Sequence, residues 1–202
     1  MEIILSSRNP SKAEQIRAVF VGLPISILTL ADAGIDGEAV EDGLTLEENA
    51  LLKARFAFEK AGSKSWAMAD DTGLFVEALN GEPGVKSARW AGDTATTEEI
   101  LYLLLKRMEG KSNRSAVFET AVSLIGPDGE IHYFVGKVRG RLLEEPRVPP
   151  QPKMPYSSIF IPEGQELTWA EMTIEQENAV SHRGKAFGQV RDFLVARNLV
   201  IR

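Results

Sequence analysis

The clearest turn signal of the chain lies between two apolar segments. These segments, residues 116–125 and 130–138, flank Pro127, Asp128 and Gly129. The three residues favour a tight turn, because proline presets φ, aspartate accepts a local hydrogen bond and glycine adopts a positive φ. The pattern predicts a β-hairpin.

The other elements follow from apolar periodicity and from helix-capping residues. Asn9 precedes Pro10, a preferred first residue of a helix, and Thr45 begins a capping-box pattern. Five prolines make residues 144–155 a loop or an extended edge. Besides the hairpin, we expect strands at residues 2–7, 24–30, 66–69 and 158–161, and helices at 10–20, 45–61, 97–108, from about 174, and at 182–198.

These strands and helices mingle along the chain without strict alternation. We therefore expect an α/β fold with a mixed central β-sheet flanked by helices, rather than a regular doubly wound sheet. The 202 residues suit a single domain, 1–202, that can be divided into two lobes.

The composition narrows the class of protein. The chain has no cysteine, so disulfides and thiolate metal sites are excluded. No apolar run approaches the roughly 20 residues of a membrane span, and the N-terminus lacks the basic start of a signal peptide. The net charge of −6 argues against bulk nucleic-acid binding, which needs a basic face. We expect a cytoplasmic protein that binds neither membranes nor nucleic acids.

Two adjacent carboxylates, Asp70 and Asp71, follow the predicted strand 66–69 and precede Thr72 and Gly73. Crowded carboxylates are costly unless a cation neutralises them. Mg²⁺ is commonly held by one or two carboxylates together with substrate phosphates. The pair therefore indicates either a magnesium site or a solvated acidic turn.

A second polar cluster leads into the helix that Thr45 begins. Asn49 and Lys53 are four residues apart and share one face of that helix. Glu48 either caps the helix through Thr45 or faces a metal, and the two roles are compatible. Lys53 is otherwise an ordinary surface lysine.

Two further segments carry groups that suit a nucleotide. Residues 6–12 combine a helix N-terminus with Lys12, and backbone N–H groups at such a terminus attract anions. The alternative is a well-capped helix without a ligand. Near the C-terminus, His182 and Arg183 offer a ring and a planar fork for a nucleobase edge or a phosphate. His132 lies in a hairpin strand and is expected to be structural.

Taken together, these segments resemble the inosine triphosphate pyrophosphatase family, which hydrolyses non-standard purine nucleoside triphosphates. The motifs occur in the order of that family and cover nearly the whole chain. They are residues 7–12, 41–49 with 52–55, 69–74, 81–92, 159–164 and 181–186.

The resemblance implies a two-lobed fold with the active site in the cleft, a homodimer and a Mg²⁺-dependent cleavage of the triphosphate to the monophosphate and pyrophosphate. It also implies roles for individual residues. Asp71 is the expected general base, and Lys53 is expected to contribute to catalysis. The expected metal ligands are Glu41, Glu48, Asp70 and Asp71, and the expected substrate contacts are Ser7, Asn9, Lys12, Thr72, Ser87, Arg89, Tyr156, His182 and Arg183.

The chain departs from the family in its nucleotide-recognition segments. Met154 and Ser157 stand where the family has a stacking phenylalanine and an aspartate, Glu177 replaces a lysine, and Arg8 replaces a glycine. The four carboxylates expected to bind the metal, Glu41, Glu48, Asp70 and Asp71, are retained. The changes leave open whether the base is hypoxanthine or xanthine or a different base, and whether the protein binds nucleotides without turnover.

Overall fold

The computed structural model describes residues 1–199; residues 200–202, the end of the expected domain 1–202, lie outside the described residues. The described part has five α-helices and seven β-strands. The helices are α1 (Pro10–Val19), α2 (Leu46–Lys60), α3 (Thr97–Arg107), α4 (Ile174–Val180) and α5 (His182–Ala196). The strands are β1 (Glu2–Leu5), β2 (Ser26–Thr29), β3 (Trp66–Val76), β4 (Pro83–Gly84), β5 (Ser115–Ile125), β6 (Ile131–Leu142) and β7 (Phe160–Pro162).

The helices begin where the capping residues indicate. The Asn9 side chain accepts a hydrogen bond from the backbone N–H of Lys12, and Pro10 occupies the first turn of α1. At the start of α2, Thr45 and Glu48 form a reciprocal capping box. These side chains satisfy backbone N–H groups that have no partner within the helix. The predicted helices are therefore confirmed, with differences of one or two residues at their ends.

The sheet is mixed, as expected from the sequence. Its strand order is β2-β1-β3-β5-β6-β7, and β4 pairs with β3. Strand β1 runs parallel to both β2 and β3, whereas β4 and β7 are antiparallel to their partners. The turn between β5 and β6 is closed by a hydrogen bond from the N–H of Gly126 to the carbonyl of Glu130, which confirms the hairpin.

Strand β3 corrects one expectation. The predicted strand ended at residue 69 and placed Asp70 and Asp71 at its C-terminal end, but β3 continues to Val76. Its second half stays extended because Leu74 and Phe75 pair with β4. Both carboxylates are thus inside a strand and almost fully buried.

The contacts divide the chain into two compact units. Unit 1 contains residues 1–71, 120–136 and the chain from residue 183 onward, and unit 2 contains residues 72–119 and 137–182. Each buries its own apolar core: Ile3, Ile16, Met68, Val122 and Phe187 belong to the core of unit 1, and Leu74, Leu104, Met108, Phe160 and Trp169 to that of unit 2. Within residues 1–199, no helix is both long and apolar enough to cross a membrane.

Candidate active site

The buried carboxylate of Asp70 lies between two cations in unit 1. Asp70 is only 1% exposed. The Nζ of Lys12, from the first turn of α1, is 2.8 Å from Asp70 Oδ1, and the Nε of Arg183, from the first turn of α5, is 3.6 Å from Oδ2. Arg183 also donates a hydrogen bond to the side chain of Gln15. Two helix starts and one strand therefore converge on a single carboxylate.

The neighbouring carboxylate, Asp71, is held by helix α2. Lys53 Nζ donates to Asp71 Oδ1 at 2.6 Å, and Asn49 Nδ2 donates to Oδ2 at 3.3 Å. Lys53 Nζ also lies 3.6 Å from a carboxylate oxygen of Glu41. Because Asn49 and Lys53 share one face of α2, both reach the same carboxylate. The amide of Asn49 is in turn fixed by Gly43, whose N–H donates to Asn49 Oδ1 at 2.9 Å.

These side chains form a set with balanced charge, which we call the charge cluster. Its members are Lys12, Lys53, Arg183, Glu41, Asp70 and Asp71. A buried charge is costly unless a partner of opposite sign compensates it. The three cations and three carboxylates provide this compensation for one another, so the cluster is stable in unit 1 as it stands.

The environment shifts the pKa values within the charge cluster in different directions. Burial alone would raise the pKa of Asp70, but the charges of Lys12, Arg183 and Lys53 outweigh it and lower this pKa to about 2. For Asp71 burial prevails over the attraction of Lys53, and its pKa is raised.

The two lysines of the cluster also differ. Burial lowers the pKa of Lys12, and Asp70 only partly offsets this effect. For Lys53, burial is outweighed by Asp71, Glu41 and Asp70, so its pKa is raised. The two partners Lys53 and Asp71 each show a raised pKa. The contact of 2.6 Å between Lys53 Nζ and Asp71 Oδ1 is that of an ion pair.

The four expected metal ligands do not gather into one group. Among residues 1–199, no three His, Cys, Asp or Glu side chains are placed so that they could hold a metal ion by themselves. The carboxylate of Glu48 is exposed and accepts hydrogen bonds from the N–H groups of Leu44, at 2.7 Å, and Thr45, at 3.2 Å. Glu48 therefore acts as a helix cap, while Glu41, Asp70 and Asp71 are neutralised by the lysines and Arg183.

Asp70 and Asp71 nevertheless suit Mg²⁺, a hard divalent cation. Mg²⁺ is typically bound by one or two protein carboxylates, and substrate phosphates and water complete its coordination. The buried oxygens of Asp70 and Asp71 provide such a donor set. The lysines that neutralise them could contact the phosphates instead.

The side chains of Ser7 and Asn9 stabilise the turn that precedes α1 by hydrogen bonds to nearby backbone N–H groups. Ser7 Oγ accepts a hydrogen bond from the N–H of Asn9 at 3.2 Å, and Asn9 caps the helix. Arg8 extends away from this turn, donating to the backbone carbonyls of Ile35 and Gly37, both at 3.1 Å. The turn is therefore ordered, and Arg8 ties it to the loop that leads to Glu41.

Several expected substrate contacts lie in unit 2, where they support one another. Ser87 Oγ accepts a hydrogen bond from the N–H of Leu74 at 2.7 Å and donates to the carbonyl of Gly84. The hydroxyl of Tyr156 donates to the carbonyl of Ser87 at 2.8 Å, and burial raises the pKa of this phenol. Ser87 and Tyr156 thus hold the segment that carries Arg89, which is exposed in a short 3₁₀ turn.

His182 and Thr72 also belong to unit 2. His182 is 2% exposed, and its ring stacks on Phe118 with 4.8 Å between the centroids. The ring of Trp169 lies 4.6 Å from the imidazole on a tilted plane. Thr72 is half-buried in β3. The imidazole of His182 is therefore fixed within an aromatic group.

Ser157 and Glu177, two of the residues that depart from the expected family pattern, form hydrogen bonds within unit 2. Ser157 Oγ accepts a hydrogen bond from the N–H of Gln151 and donates to the carbonyl of Met154, so this hydroxyl is used to close the turn. Glu177 on α4 is only 3% exposed, and Gln151 Nε2 lies 3.4 Å from one of its carboxylate oxygens.

Sequence reasoning did not assign a site role to Asn49, Gln15 or Gln151. Asn49 carried a detectable signal, because it is one turn before Lys53. Gln15 carried a weaker one, because it lies three residues after Lys12 on α1. Gln151 lies in the proline-rich loop, where no periodicity indicates the direction of a side chain.

Comparison with known proteins places this geometry in a family. Residues 3–193 match the sequence profile of the Ham1 family. A relative from Thermoanaerobacter pseudethanolicus named dITP/XTP pyrophosphatase is 41% identical over 199 residues, which cover 98% of each chain. A similarly named relative from Geobacter sulfurreducens is 39% identical over 95% of this chain and 96% of its own.

Solved structures agree with the sequence relatives. The Ham1 protein of Coxiella burnetii superposes with a TM-score of 0.83 at 34% identity, covering 97% of this chain and 99% of its own. The Staphylococcus aureus Ham1 protein gives a TM-score of 0.82 at 32% identity over 98% of this chain and all of its own. The resemblance inferred from the ordered sequence motifs is confirmed, and the chain belongs to the Ham1 family.

Proposed function

We propose that this protein is a Mg²⁺-dependent nucleoside triphosphate pyrophosphohydrolase, which converts a triphosphate to the monophosphate and pyrophosphate. The observation that carries the proposal is the charge cluster of unit 1, where Asp70 and Asp71 lie within ion-pair distance of Lys12 and Lys53. The names of the full-length relatives support dITP, XTP and the related ITP as substrates.

Lys12 and Lys53 bind the phosphate oxygens in this proposal. Each lysine is already held in place by a carboxylate, so a phosphate can take over part of an existing contact instead of ordering a free side chain. The first turn of α1 adds a favourable helix dipole. Ser7 and Asn9 keep that turn in place. Lys53 also stabilises the negative charge that develops on the departing pyrophosphate.

Asp71 serves as the general base. Its carboxylate accepts hydrogen bonds from Lys53 and Asn49, which orient it. It accepts a proton from a water molecule whose oxygen attacks the α-phosphorus. The new oxygen–phosphorus bond replaces the bond between the α-phosphorus and the bridging oxygen, and pyrophosphate leaves with that oxygen. No covalent enzyme intermediate is required.

Asp70 and Asp71 are the residues that would hold Mg²⁺, with the substrate phosphates supplying further oxygens, and Glu41 would join them only by leaving Lys53. Glu48 would join them only by leaving its helix cap. When bound, the metal ion supplies charge neutralisation and polarisation of the phosphoryl group. Asp70 keeps its negative charge throughout the physiological range because Lys12 and Arg183 lower its pKa to about 2.

The remaining expected contacts receive supporting or recognition roles. His182 and Arg183 are proposed to contact the base, and Thr72 and Arg89 the rest of the nucleotide. Ser87 and Tyr156 support the segment that carries Arg89. The family resemblance supports a homodimer that removes non-standard nucleotides from the cytoplasmic pool.

A nucleotide panel with and without Mg²⁺ tests the proposal. ITP, dITP, XTP and the four standard deoxynucleotides are incubated with the enzyme, and pyrophosphate, orthophosphate and monophosphate are quantified. We expect equal amounts of pyrophosphate and monophosphate from at least one purine triphosphate, and none of either after removal of the metal with a chelator. Binding of a triphosphate without any pyrophosphate release would instead identify a nucleotide-binding protein that has lost turnover.

A further inference from the structure

The ammonium group of Lys53 is shared between two carboxylates of unit 1. Its Nζ lies 2.6 Å from Asp71 Oδ1 and 3.6 Å from a carboxylate oxygen of Glu41. The lysine side chain is only 13% exposed, so solvent screens these contacts less than it would at the surface. The cation that is proposed to bind a substrate phosphate is therefore already in contact with two anions before the substrate arrives.

The two contacts of Lys53 differ in strength. The contact with Asp71 is a short hydrogen-bonded ion pair, and the Asp71 carboxylate is also held by Asn49. The contact with Glu41 is too long for a hydrogen bond, and the Glu41 side chain is 31% exposed. An anion that approaches Lys53 therefore replaces the contact with Glu41 at a lower cost than the contact with Asp71.

The backbone on both sides of Glu41 is anchored to other parts of unit 1. Before Glu41, the carbonyl of Gly37 accepts a hydrogen bond from Arg8 at 3.1 Å. After it, the N–H of Gly43 donates to Asn49 Oδ1 at 2.9 Å. Because these contacts hold the loop, breaking the contact between Glu41 and Lys53 leaves the negative charge of Glu41 near the phosphate site.

We propose that Glu41 makes the protein select the Mg²⁺ complex of a polyphosphate over the metal-free anion, because its carboxylate competes with the phosphates for Lys53. A metal-free polyphosphate must displace Glu41 and is then repelled by the displaced carboxylate. A carboxylate released from Lys53 attracts a divalent cation, so the same negative charge favours the Mg²⁺ complex. Glu41 is thus a specificity-determining residue, and this inference rests on the proposed Mg²⁺-dependent function.

Binding of inorganic pyrophosphate tests the inference without turnover, because pyrophosphate is a product of the proposed reaction. Isothermal titration calorimetry measures its affinity for the wild type and for Glu41→Gln, once with a chelator and once with excess Mg²⁺. The wild type should bind the metal-free anion at least tenfold more weakly than the Mg²⁺ complex. Glu41→Gln should bind the metal-free anion at least tenfold more tightly than the wild type, and the Mg²⁺ complex more weakly.

The matched control is Asp42→Asn, which removes the same charge from the exposed neighbouring residue of the same loop. Both of its affinities should equal those of the wild type. A double-mutant cycle isolates the competition for the ammonium group: in a Lys53→Met background, Glu41→Gln should no longer tighten binding of the metal-free anion. If the Lys53 variant does not fold, the opposite signs of the two affinity changes in Glu41→Gln decide the question, because a merely structural role would change both affinities in the same direction.

Three results would overturn the inference: equal affinities of wild type and Glu41→Gln for the metal-free anion, changes of the same sign with and without Mg²⁺, or an effect that persists without Lys53. Each of them is compatible with Mg²⁺-dependent release of pyrophosphate from a purine triphosphate and leaves the proposed function standing. Absence of pyrophosphate release from every triphosphate would instead refute the proposed function.

Discussion

Replacing Asp70 by asparagine removes the only carboxylate that lies within 4 Å of both Lys12 and Arg183 in the part of the chain that the structure describes. The pKa of Asp70 is about 2, compared with an ordinary value of 3.8. Since one pKa unit corresponds to about 1.4 kcal/mol, the ionised carboxylate stabilises the folded state by about 2 kcal/mol relative to its protonated form. Asp70→Asn also leaves two buried cations without this partner, which costs about 3–5 kcal/mol at neutral pH.

The dependence on pH distinguishes this electrostatic contribution from simple packing. A carboxyl group whose pKa is lower in the folded state stabilises the protein fully above its unfolded pKa, and that stabilisation is lost as the pH falls through the folded pKa. The difference in the free energy of unfolding between the wild type and Asp70→Asn should therefore narrow by about 2 kcal/mol between pH 5 and pH 2.

Urea denaturation followed by tryptophan fluorescence, in the presence of a chelator, measures this difference at each pH. Asp192→Asn is the control, because Asp192 is an exposed aspartate on α5, and its stability should follow that of the wild type at every pH. A difference between wild type and Asp70→Asn that stays constant from pH 5 to pH 2 would show that Lys12 and Arg183 do not lower the pKa of Asp70.

Three further substitutions test the surroundings of the charge cluster. Asp71→Asn should reduce kcat at least a hundredfold under conditions where circular dichroism shows that the variant is folded; full activity would exclude Asp71 as the base. Arg8→Ala removes two hydrogen bonds to backbone carbonyls and should raise KM for the Mg²⁺ triphosphate and lower stability by about 1 kcal/mol; an unchanged KM would show that the turn does not depend on this tie. Gly43→Ala places a Cβ 2.8 Å from Asn49 Oδ1, so kcat should fall about tenfold as Asn49 moves from the base. The control Gly188→Ala, which meets no atom within 4 Å, should retain wild-type kinetics.

Much of the secondary structure could be predicted because it depends on neighbours in the sequence. Asn9 and Pro10 mark the start of α1, and Thr45 and Glu48 mark the start of α2, because a capping side chain binds an N–H group only three residues away. The turn at 127–129 likewise closes within a few residues. The mixed sheet followed from the order of these elements.

The extent of β3 and the partners of its carboxylates could not be derived locally. Asp70 and Asp71 had the pattern of a strand end, since no adjacent residue compensates their charge. Their compensation comes from Lys12, Lys53 and Arg183, which lie far apart in sequence and meet only when α1, α2 and α5 pack in unit 1.

The sequence by itself therefore determined the identity of the charged groups, the helix starts and the membership of the family. Tertiary structure decided which charges meet: it brings Asn49 to Asp71 and places Gln151 beside the buried Glu177. The physical reason is the separation in sequence between the groups that interact. Backbone hydrogen bonds at caps and turns are satisfied within a few residues, whereas the free energy of a buried charge depends on every group that folding brings within a few ångströms of it.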